Sequence, residues 1–462
     1  MLLADAVILR VLNRCEGLTA FEHCSPGCVR LNATTLYTAE MMKMYHCARL
    51  CNLTIVLTIL SFSSRSIAEN LSWSAFRGAA GNGHAANACP AVKWSELDHV
   101  RWKTPIHGKG WSSPVVLGNQ VWLTTATEGG TQMYALCVDL DRGKIIHDVL
   151  VFENTEPRFC HPTNSYASPS PVVADDRVYV HFGSYGTACL DAATGSKIWE
   201  QRSLDCDHWR GPGSSPILDD HRLYVAYDGY DVQYVVALDR RTGKTIWKTP
   251  RNINYSTNNG DHRKAYSTAQ LIRVGNQDQL ISPSAQSTIA YAPATGEELW
   301  RVEHGGMNAA SRPLYAHGLV YITTGDGVGR TQPALLAIRP HEKTSDRIAW
   351  SSRRSVPRRP SPLIIDELLF TISDDGIATC LDAKTGDSIW RKRIAGNYRA
   401  SPLYADGRIY VCNLEGVTTV LAAARSYEQL AVNHLDNGFQ ASPAAVGKTL
   451  LLRSTKHLYA IE

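Results

Sequence analysis

The stretch CLDAKTGDSIW at residues 380–390 recurs almost unchanged at two other places in the chain. Residues 189–199 read CLDAATGSKIW, and residues 237–247 read ALDRRTGKTIW. Weaker copies are YAPATGEELW at 291–300, CVDLDRGKII at 137–146 and AIRPHEKTSDRIAW at 337–350. Two apolar segments on either side of a turn, which contains glycine in most copies, form the pattern of a β-hairpin. The chain therefore repeats one hairpin several times, which indicates a repeat architecture.

A second motif precedes each hairpin and sets the number of repeats. It is a Ser/Pro strand start followed by a turn and an apolar strand, as in PSPVVADDRVYV at 169–180 and ASPLYADGRIYV at 400–411. Its proline position, where one repeat has alanine, is occupied by Pro114, Pro171, Pro216, Ala269, Pro313, Pro362, Pro402 and Pro443. Repeats of roughly 40–50 residues built from short strands are typical of propeller blades. The sequence predicts an all-β, eight-bladed propeller of four-stranded antiparallel blades.

The two ends of the repeat region predict how the ring closes. The eighth repeat stops at HLYAIE, residues 457–462, and has no fourth strand of its own. The segment HVRWKTPI at 99–106 has the form of a fourth strand and precedes the first repeat. Pairing these two segments would remove two exposed sheet edges. We therefore predict that strand 99–106 joins the C-terminal blade.

Tryptophans recur at the end of the hairpin motif. They are Trp102, Trp199, Trp247, Trp300, Trp350 and Trp390. The fourth strand of a blade is far from the propeller axis, so these indoles are predicted to pack blade against blade rather than to stack on a cofactor.

Composition places the chain among globular proteins. It has 462 residues, 44% hydrophobic and 19% charged, with a formal net charge of +4. This small charge gives no support to nucleic-acid binding.

The first hundred residues divide into three predicted parts. Residues 41–68 have Lys43 and Arg49, an apolar run from Leu50 to Phe62 and a final Ala68, which is the order of a secretory signal peptide. The apolar run is too short for a membrane span. Residues 1–40 are interpreted as an upstream extension, and residues 69–98 as a segment that leads into the propeller at 99–462. Export to the bacterial periplasm or the extracellular space is predicted.

The true start of translation remains open in this interpretation. The candidates are Met41, Met42 and Met44.

The LDxxTGxxxW hairpin and its eightfold repeat resemble the pyrroloquinoline-quinone-like, or quinoprotein-type, β-propeller family over residues 99–462. FRGAAGNG at 76–83, followed by VRWKTPIHGKGWSSPVV at 100–116, resembles an exported bacterial subset without a settled activity. The resemblance also implies two defined alternatives. One is a quinone-dependent dehydrogenase that uses pyrroloquinoline quinone with calcium, and the other is a scaffold subunit in outer-membrane protein assembly.

The signatures of the dehydrogenases are weak in this chain. The sequence has no adjacent cysteine pair and no Cys-x-x-Cys-His motif. Candidate calcium ligands in the loops are limited to Asn164, Asp261, Asn308 and Asn397. No cofactor and no metal site are therefore predicted, and quinone-dependent catalysis is kept as an alternative.

Two cysteines are candidates for a disulfide. Cys160 and Cys206 lie at similar positions in successive loops, just before Pro171 and Pro216. Because exported proteins meet an oxidising environment, a Cys160–Cys206 bridge is predicted.

The candidate site lies in the loops that join the last strand of one blade to the first strand of the next. In propellers these loops gather around one mouth of the central channel. The candidate residues are Trp111, His161, Asn164, Tyr166, His208, Trp209, Arg210, Tyr266, Asn308, Arg312, Arg358, Arg359, Tyr398 and Arg399. His262, Arg263, Met307, Phe439 and Gln440 occupy the same loops.

Arginine occurs in five of these eight loops, next to aromatic residues. The forked donors of arginine match carboxylate, sulfate and phosphate oxygens, and aromatic faces suit a sugar ring or a planar acid. The leading hypothesis is a binding protein, without established catalysis, whose funnel takes an anionic small molecule, an acidic or sulfated glycan, or a protein partner.

Overall fold

The computed structural model describes residues 72–255, 257–342 and 346–462. The predicted extension at 1–40 and the signal peptide at 41–68 lie outside the described residues. None of the helical segments in the described part of the chain is long and apolar enough to cross a membrane.

Eight four-stranded antiparallel units make up the fold, as predicted. Blades one and two contain β3 (Val115–Leu117), β4 (Gln120–Ala126), β5 (Gln132–Asp139), β6 (Ile145–Glu153), β7 (Val172–Ala174), β8 (Arg177–His181), β9 (Thr187–Asp191) and β10 (Lys197–Gln201). Blades three and four contain β11 (Ile217–Leu218), β12 (Arg222–Asp228), β13 (Gln233–Asp239), β14 (Thr245–Pro250), β15 (Gln270–Val274), β16 (Gln277–Pro283), β17 (Ser287–Tyr291) and β18 (Glu298–Glu303).

The remaining blades have the same plan. Blades five and six contain β20 (Leu314–Ala316), β21 (Leu319–Thr323), β23 (Leu335–Ile338), β24 (Ile348–Ser352), β25 (Leu363–Ile365), β26 (Leu368–Ile372), β27 (Ile377–Asp382) and β28 (Ser388–Arg393). Blades seven and eight contain β29 (Leu403–Ala405), β30 (Arg408–Cys412), β31 (Val417–Ala422), β32 (Gln429–His434), β33 (Ala444–Val446), β34 (Thr449–Arg453) and β35 (His457–Ile461). Short additions are the strand pair β19 (Gly306–Met307) and β22 (Asp326–Gly327) and the 3₁₀ turns Gly183–Tyr185 and Gly260–Arg263.

The N-terminal strand β2 (Val100–Pro105) completes the last blade. It pairs antiparallel with β35, with Trp102 opposite Ala460. The C-terminal sheet therefore has the order β2-β35-β34-β33, with the N-terminal strand as its outermost member. This is the pairing that the missing fourth strand of the last repeat predicts.

The hairpin motif is explained by contacts between neighbouring blades. The Trp199 indole N–H donates to the Arg240 carbonyl of the next blade at 3.1 Å, and Trp247 donates to the Pro293 carbonyl at 2.9 Å. Gly243, in the turn of the next blade, has φ +72° and leaves no room for a Cβ because the Trp199 ring lies against it. The Thr-Gly turn and the terminal Trp are therefore two sides of one blade interface. The packing of these tryptophans between blades was predicted, whereas the turn as their partner was not.

One feature departs from the predicted blade plan. Residues 72–98, here called the lead-in segment, begin with β1 (Ser72–Trp73), which pairs antiparallel with β3 and adds a fifth strand to blade one. The Ser74 carbonyl accepts from the Val173 N–H of blade two, and the Gly83 carbonyl accepts from the Tyr404 N–H of blade seven. A segment bonded to the first strands of several blades occupies the space between them. The lead-in segment therefore crosses the central channel.

Arg77 anchors the lead-in segment. Its guanidinium is buried and donates to the carbonyls of Asn82, Ser361 and Pro362 at 2.9, 3.3 and 2.6 Å. The bonds to Ser361 and Pro362 join the segment to the residues directly before the first strand of blade six.

Candidate functional site

A ring of hydroxyls encircles the channel at the residue before the proline of each repeat. The members of this hydroxyl ring are Ser113, Ser170, Ser215, Thr268, Ser361, Ser401 and Ser442. The Ser113 N–H donates to Ser170 Oγ at 2.8 Å, and the Ser442 N–H donates to Ser113 Oγ at 3.0 Å. In total, seven backbone N–H groups donate to the hydroxyl of the next blade in this way. Arg312 occupies the position in blade five and interrupts the ring.

The hydroxyl ring leaves its protons free for a ligand. Each hydroxyl accepts a backbone N–H, and none of the ring hydroxyls that face the cavity described next donates to another described residue. A hydroxyl can accept and donate at once. The ring hydroxyls on the cavity wall can therefore donate to a ligand.

A cavity of about 200 Å³ opens above the hydroxyl ring, here called the mouth cavity. Six of the ring hydroxyls line it, and Phe76 of the lead-in segment also contributes. Predicted site residues on its wall are Trp111, Asn164, Arg210, Tyr266, Asn308, Arg359, Arg399 and Gln440. All eight loops from which the candidates were drawn therefore contribute to one cavity.

Two of the three arginines on this wall are paired with carboxylates. Arg210 makes a bidentate pair with Asp261 at 3.0 and 2.6 Å, and Lys264 also contacts this carboxylate. Arg359 lies 2.7 Å from Asp374. These carboxylates hold the guanidinium groups in place, and they reduce the attraction that the two arginines exert on a further anion.

Arg399 is the exception. Its Nη1 donates to the Thr163 carbonyl at 3.1 Å and to Gln440 Oε1 at 3.2 Å, and it has no carboxylate partner among the described residues. Burial, and then the positive charge of Arg359, lower the pKa of Arg399. An unpaired guanidinium at a cavity lined with hydroxyl donors favours a bound anion.

The pKa of His161 is affected by the charged residues at the mouth. Its pKa is lowered by burial and then by the positive charges of Arg210, Lys264 and Arg399. Its Nδ1 lies 2.8 Å from Thr163 Oγ1, at the edge of the cavity. Arg210, Lys264 and Arg399 therefore contribute positive charge near this edge, and Asp261 opposes them.

Several predicted site residues do not line the mouth cavity. The Tyr166 hydroxyl donates to the Arg158 carbonyl at 2.7 Å, and the Tyr398 hydroxyl donates to the Ala395 carbonyl at 2.7 Å. Each of these two tyrosines bonds to a carbonyl of its own loop, and both rings are buried. Arg358 lies behind Arg359 and contacts Asp326 at 3.3 Å.

His208 and Trp209 are adjacent but point in different directions. The His208 ring is buried beside Tyr227, and its Nε2 accepts from the Ser184 N–H at 3.1 Å. Burial lowers the pKa of His208 to about 4, so it is neutral at pH 7. Trp209, with φ +56°, is 43% exposed and contacts Phe159 at a ring-centroid distance of 5.2 Å. Neither side chain lines the cavity.

Arg312 also points away from the mouth cavity. Its Nη1 donates to the Phe76 carbonyl of the lead-in segment at 2.5 Å, and its side chain lines a different cavity. Arg312 and Phe76 are 236 residues apart in the sequence, so the residues next to Arg312 do not predict this contact.

The predicted disulfide is not present in the structure, which contains Cys160 and Cys206 as free thiols. Cys160 Sγ lies 3.6 Å from the Arg210 carbonyl, and Cys206 Sγ lies 3.4 Å from His208 Nε2. The two side chains are directed at different neighbours, because Cys206 packs inside the cluster of blades two and three and Cys160 against the cluster of blades one and two.

The mouth cavity does not fit pyrroloquinoline quinone with calcium. Its nearby carboxylates, Asp261, Asp326 and Asp374, are each paired with arginine or lysine, and these cations would repel Ca²⁺. Across residues 72–255, 257–342 and 346–462, no group of three or more His, Cys, Asp or Glu is placed to hold a metal. The volume of about 200 Å³ is also below the roughly 300–1,000 Å³ usual for such ligands.

The hydroxyl ring was not predicted from the sequence. The signal for it is a serine or threonine directly before the proline position in seven of the eight repeats. Asp326 and Asp374, which fix the arginine pair of blade six, were also missed because they lie in other loops.

Comparisons with known proteins give a family and a fold. The family model described as outer membrane protein assembly factor BamB matches residues 91–226, 151–261 and 231–462. A curated protein of that name from Legionella pneumophila (strain Paris) is 34% identical over 110 residues, which are 22% of this chain. The match spans only 27% of the length of that relative.

Solved structures share the propeller. BamB from Moraxella catarrhalis has 13% identity and a TM-score of 0.55, covering 79% of this chain and 99% of that chain. A europium-containing methanol dehydrogenase has 11% identity and a TM-score of 0.60, with coverage of 85% and 89%. The computationally designed Ika8 protein has 11% identity and a TM-score of 0.54, with coverage of 78% and 99%. At these identities the likeness shows the fold alone.

Proposed function

This chain belongs to the family described as outer membrane protein assembly factor BamB, and from that premise we propose that it is an exported binding protein whose mouth cavity holds an anionic group of a protein partner. The observation that carries the proposal is Arg399, a cation without a carboxylate partner among the described residues, at a cavity lined with hydroxyl donors.

The balance of charge at the mouth supports an anionic ligand. The two ion-pair groups hold Arg210 and Lys264 against one carboxylate, and Arg358 and Arg359 against two. Arg399 adds one further positive charge. Because burying an unpaired charge costs free energy, an anion that reached Arg399 would stabilise the site.

The donor set supports a compact group with several oxygens. The ring hydroxyls on the cavity floor and the Arg399 guanidinium can donate to one anion from different directions. Carboxylate, sulfate and phosphate have oxygens in suitable numbers. A cavity of about 200 Å³ takes such a group rather than a whole sugar chain.

The wall of the cavity supports a ligand carried on a larger body. Trp111 and Tyr266 are aromatic residues of the cavity wall, and they would contact the part of the ligand that bears the anion. The names of the family and of its Legionella relative refer to the assembly of outer membrane proteins. A peptide carboxylate, from a chain end or an acidic side chain, is the ligand class that fits both the cavity wall and the family name.

Binding of simple probes to the purified protein tests the proposal. Isothermal titration with acetate, sulfate, phosphate and a short peptide with a free C-terminal carboxylate would be compared for wild type and Arg399→Gln. Loss of a charge-assisted hydrogen bond should cost about 1.5–3 kcal/mol, and the remaining affinity should fall with added salt.

Arg393→Gln is the matched control, because Arg393 is 66% exposed and pairs with Asp375 at 3.7 Å, outside the cavity. Its affinity should equal that of wild type. Equal affinity of Arg399→Gln and wild type for every anion, or no binding by wild type, would contradict the proposal.

A further inference from the structure

A second cavity, of about 640 Å³, lies between the lead-in segment and the first strands of blades two to five, here called the channel cavity. It shares no lining residue with the mouth cavity. Much of its wall is apolar and includes Val172, Ile217, Leu218, Leu271 and Leu314. Its volume lies within the range typical of small-ligand sites, roughly 300–1,000 Å³.

Arg312 brings a charge to this apolar wall. Its side chain is buried, with 4% of the residue exposed, and it has no carboxylate partner among the described residues. Nη1 donates to the Phe76 carbonyl, whereas the buried Nε has no partner. A guanidinium with an unused donor at an apolar cavity is costly unless an anion reaches it.

The position of Arg312 is an exception within the repeat. Every other blade has serine or threonine there, and the hydroxyl supports the neighbouring blade. Arginine gives up that interaction and also introduces a buried charge beside Arg77, whose own charge lies close enough to interact with it. The blade interface does not account for this substitution.

We propose that the channel cavity binds a linear amphipathic carboxylate, such as a medium-chain fatty acid, with its carboxylate on Arg312 and its chain against the first strands of blades two to four. The apolar wall takes the hydrocarbon, and the Arg312 guanidinium donates to the head group. This site is independent of the mouth cavity and of the function proposed for it.

The channel cavity is open to solvent. Ala79, Ala80 and Arg273 line it and are exposed, so a ligand can enter it from outside.

Binding to the purified full chain tests the proposal. Fluorescence of cis-parinaric acid would be followed on titration. Dodecanoate, dodecanol and a lysophospholipid with a dodecanoyl chain would be used as competitors. Saturable binding of one probe per chain, displaced best by dodecanoate, is expected. Displacement by the lysophospholipid but not by dodecanoate would overturn the carboxylate assignment.

Arg312→Ser removes the charge and restores the residue type of the other blades. Dodecanoate affinity should fall about tenfold or more, whereas dodecanol should bind as in wild type. Ala174→Phe places a ring in the cavity, and it should weaken both ligands. Melting temperatures of the variants would show that each is folded.

Arg399→Gln separates the two sites. It should leave dodecanoate binding unchanged, because Arg399 lines only the mouth cavity. Three results would overturn the proposal: no saturable binding by wild type, unchanged dodecanoate affinity in both Arg312→Ser and Ala174→Phe, or loss of dodecanoate binding in Arg399→Gln.

Discussion

Replacement of Ser401 by alanine tests the energetic role of the hydroxyl ring. Ser401 is 2% exposed, and its Oγ accepts from the Ser361 N–H at 2.9 Å. Ser361 is 1% exposed, so the substitution leaves a buried N–H without its acceptor. The cost of such a group is about 1–3 kcal/mol. We expect Ser401→Ala to lower the free energy of unfolding by that amount.

The assay is urea denaturation followed by tryptophan fluorescence, with two comparison variants. Ser203→Ala removes an exposed hydroxyl that donates to Gln201 Oε1 at 2.7 Å, and its effect should stay within about 0.5 kcal/mol. Ser401→Thr keeps the hydroxyl, as Thr268 does in blade four, and should lose less than Ser401→Ala. Equal stability of Ser401→Ala and Ser203→Ala would refute the reasoning.

Two further predictions concern buried polar groups. Arg77→Leu removes the hydrogen bonds that Arg77 donates to backbone carbonyls. The free energy of unfolding should therefore fall by on the order of 3 kcal/mol, as measured by thermal unfolding. An unchanged melting temperature would contradict the anchoring role of Arg77. Burial lowers the pKa of His208 to about 4 and that of His181 to about 3. Protons therefore bind the unfolded chain more tightly, so the free energy of unfolding should fall as the pH decreases from about 6.5 to about 4. Denaturation at several pH values should show this slope in wild type and a smaller slope in His208→Gln, and equal slopes would contradict it.

The fold could be predicted because its signals are local and repeated. The Thr-Gly turn and the terminal Trp recur in most of the blades, and Gly243 lies against the Trp199 ring. The closing strand could be predicted from the missing fourth strand of the last repeat. Both inferences depend on spacing along the chain, which the sequence contains in full.

The directions of the loop side chains could not be predicted in the same way. His208 and Trp209 follow each other in one loop, yet the first is buried and the second exposed, because the backbone of Trp209 has a positive φ. Arg312 is turned from the mouth by a carbonyl 236 residues away. Loops have no periodicity that fixes which face a residue takes. Which side chains line the mouth cavity therefore depends on contacts between segments that are distant in the sequence.

The central claim is that the mouth cavity holds an anionic group on Arg399. Crystals of the protein soaked in selenate, with anomalous scattering used to locate the selenium, test it most directly. We predict one strong peak within hydrogen-bonding distance of the Arg399 guanidinium, above the hydroxyl ring, and its loss in crystals of Arg399→Gln. Absence of a peak in the mouth cavity, or an unchanged peak in the variant, would contradict the claim.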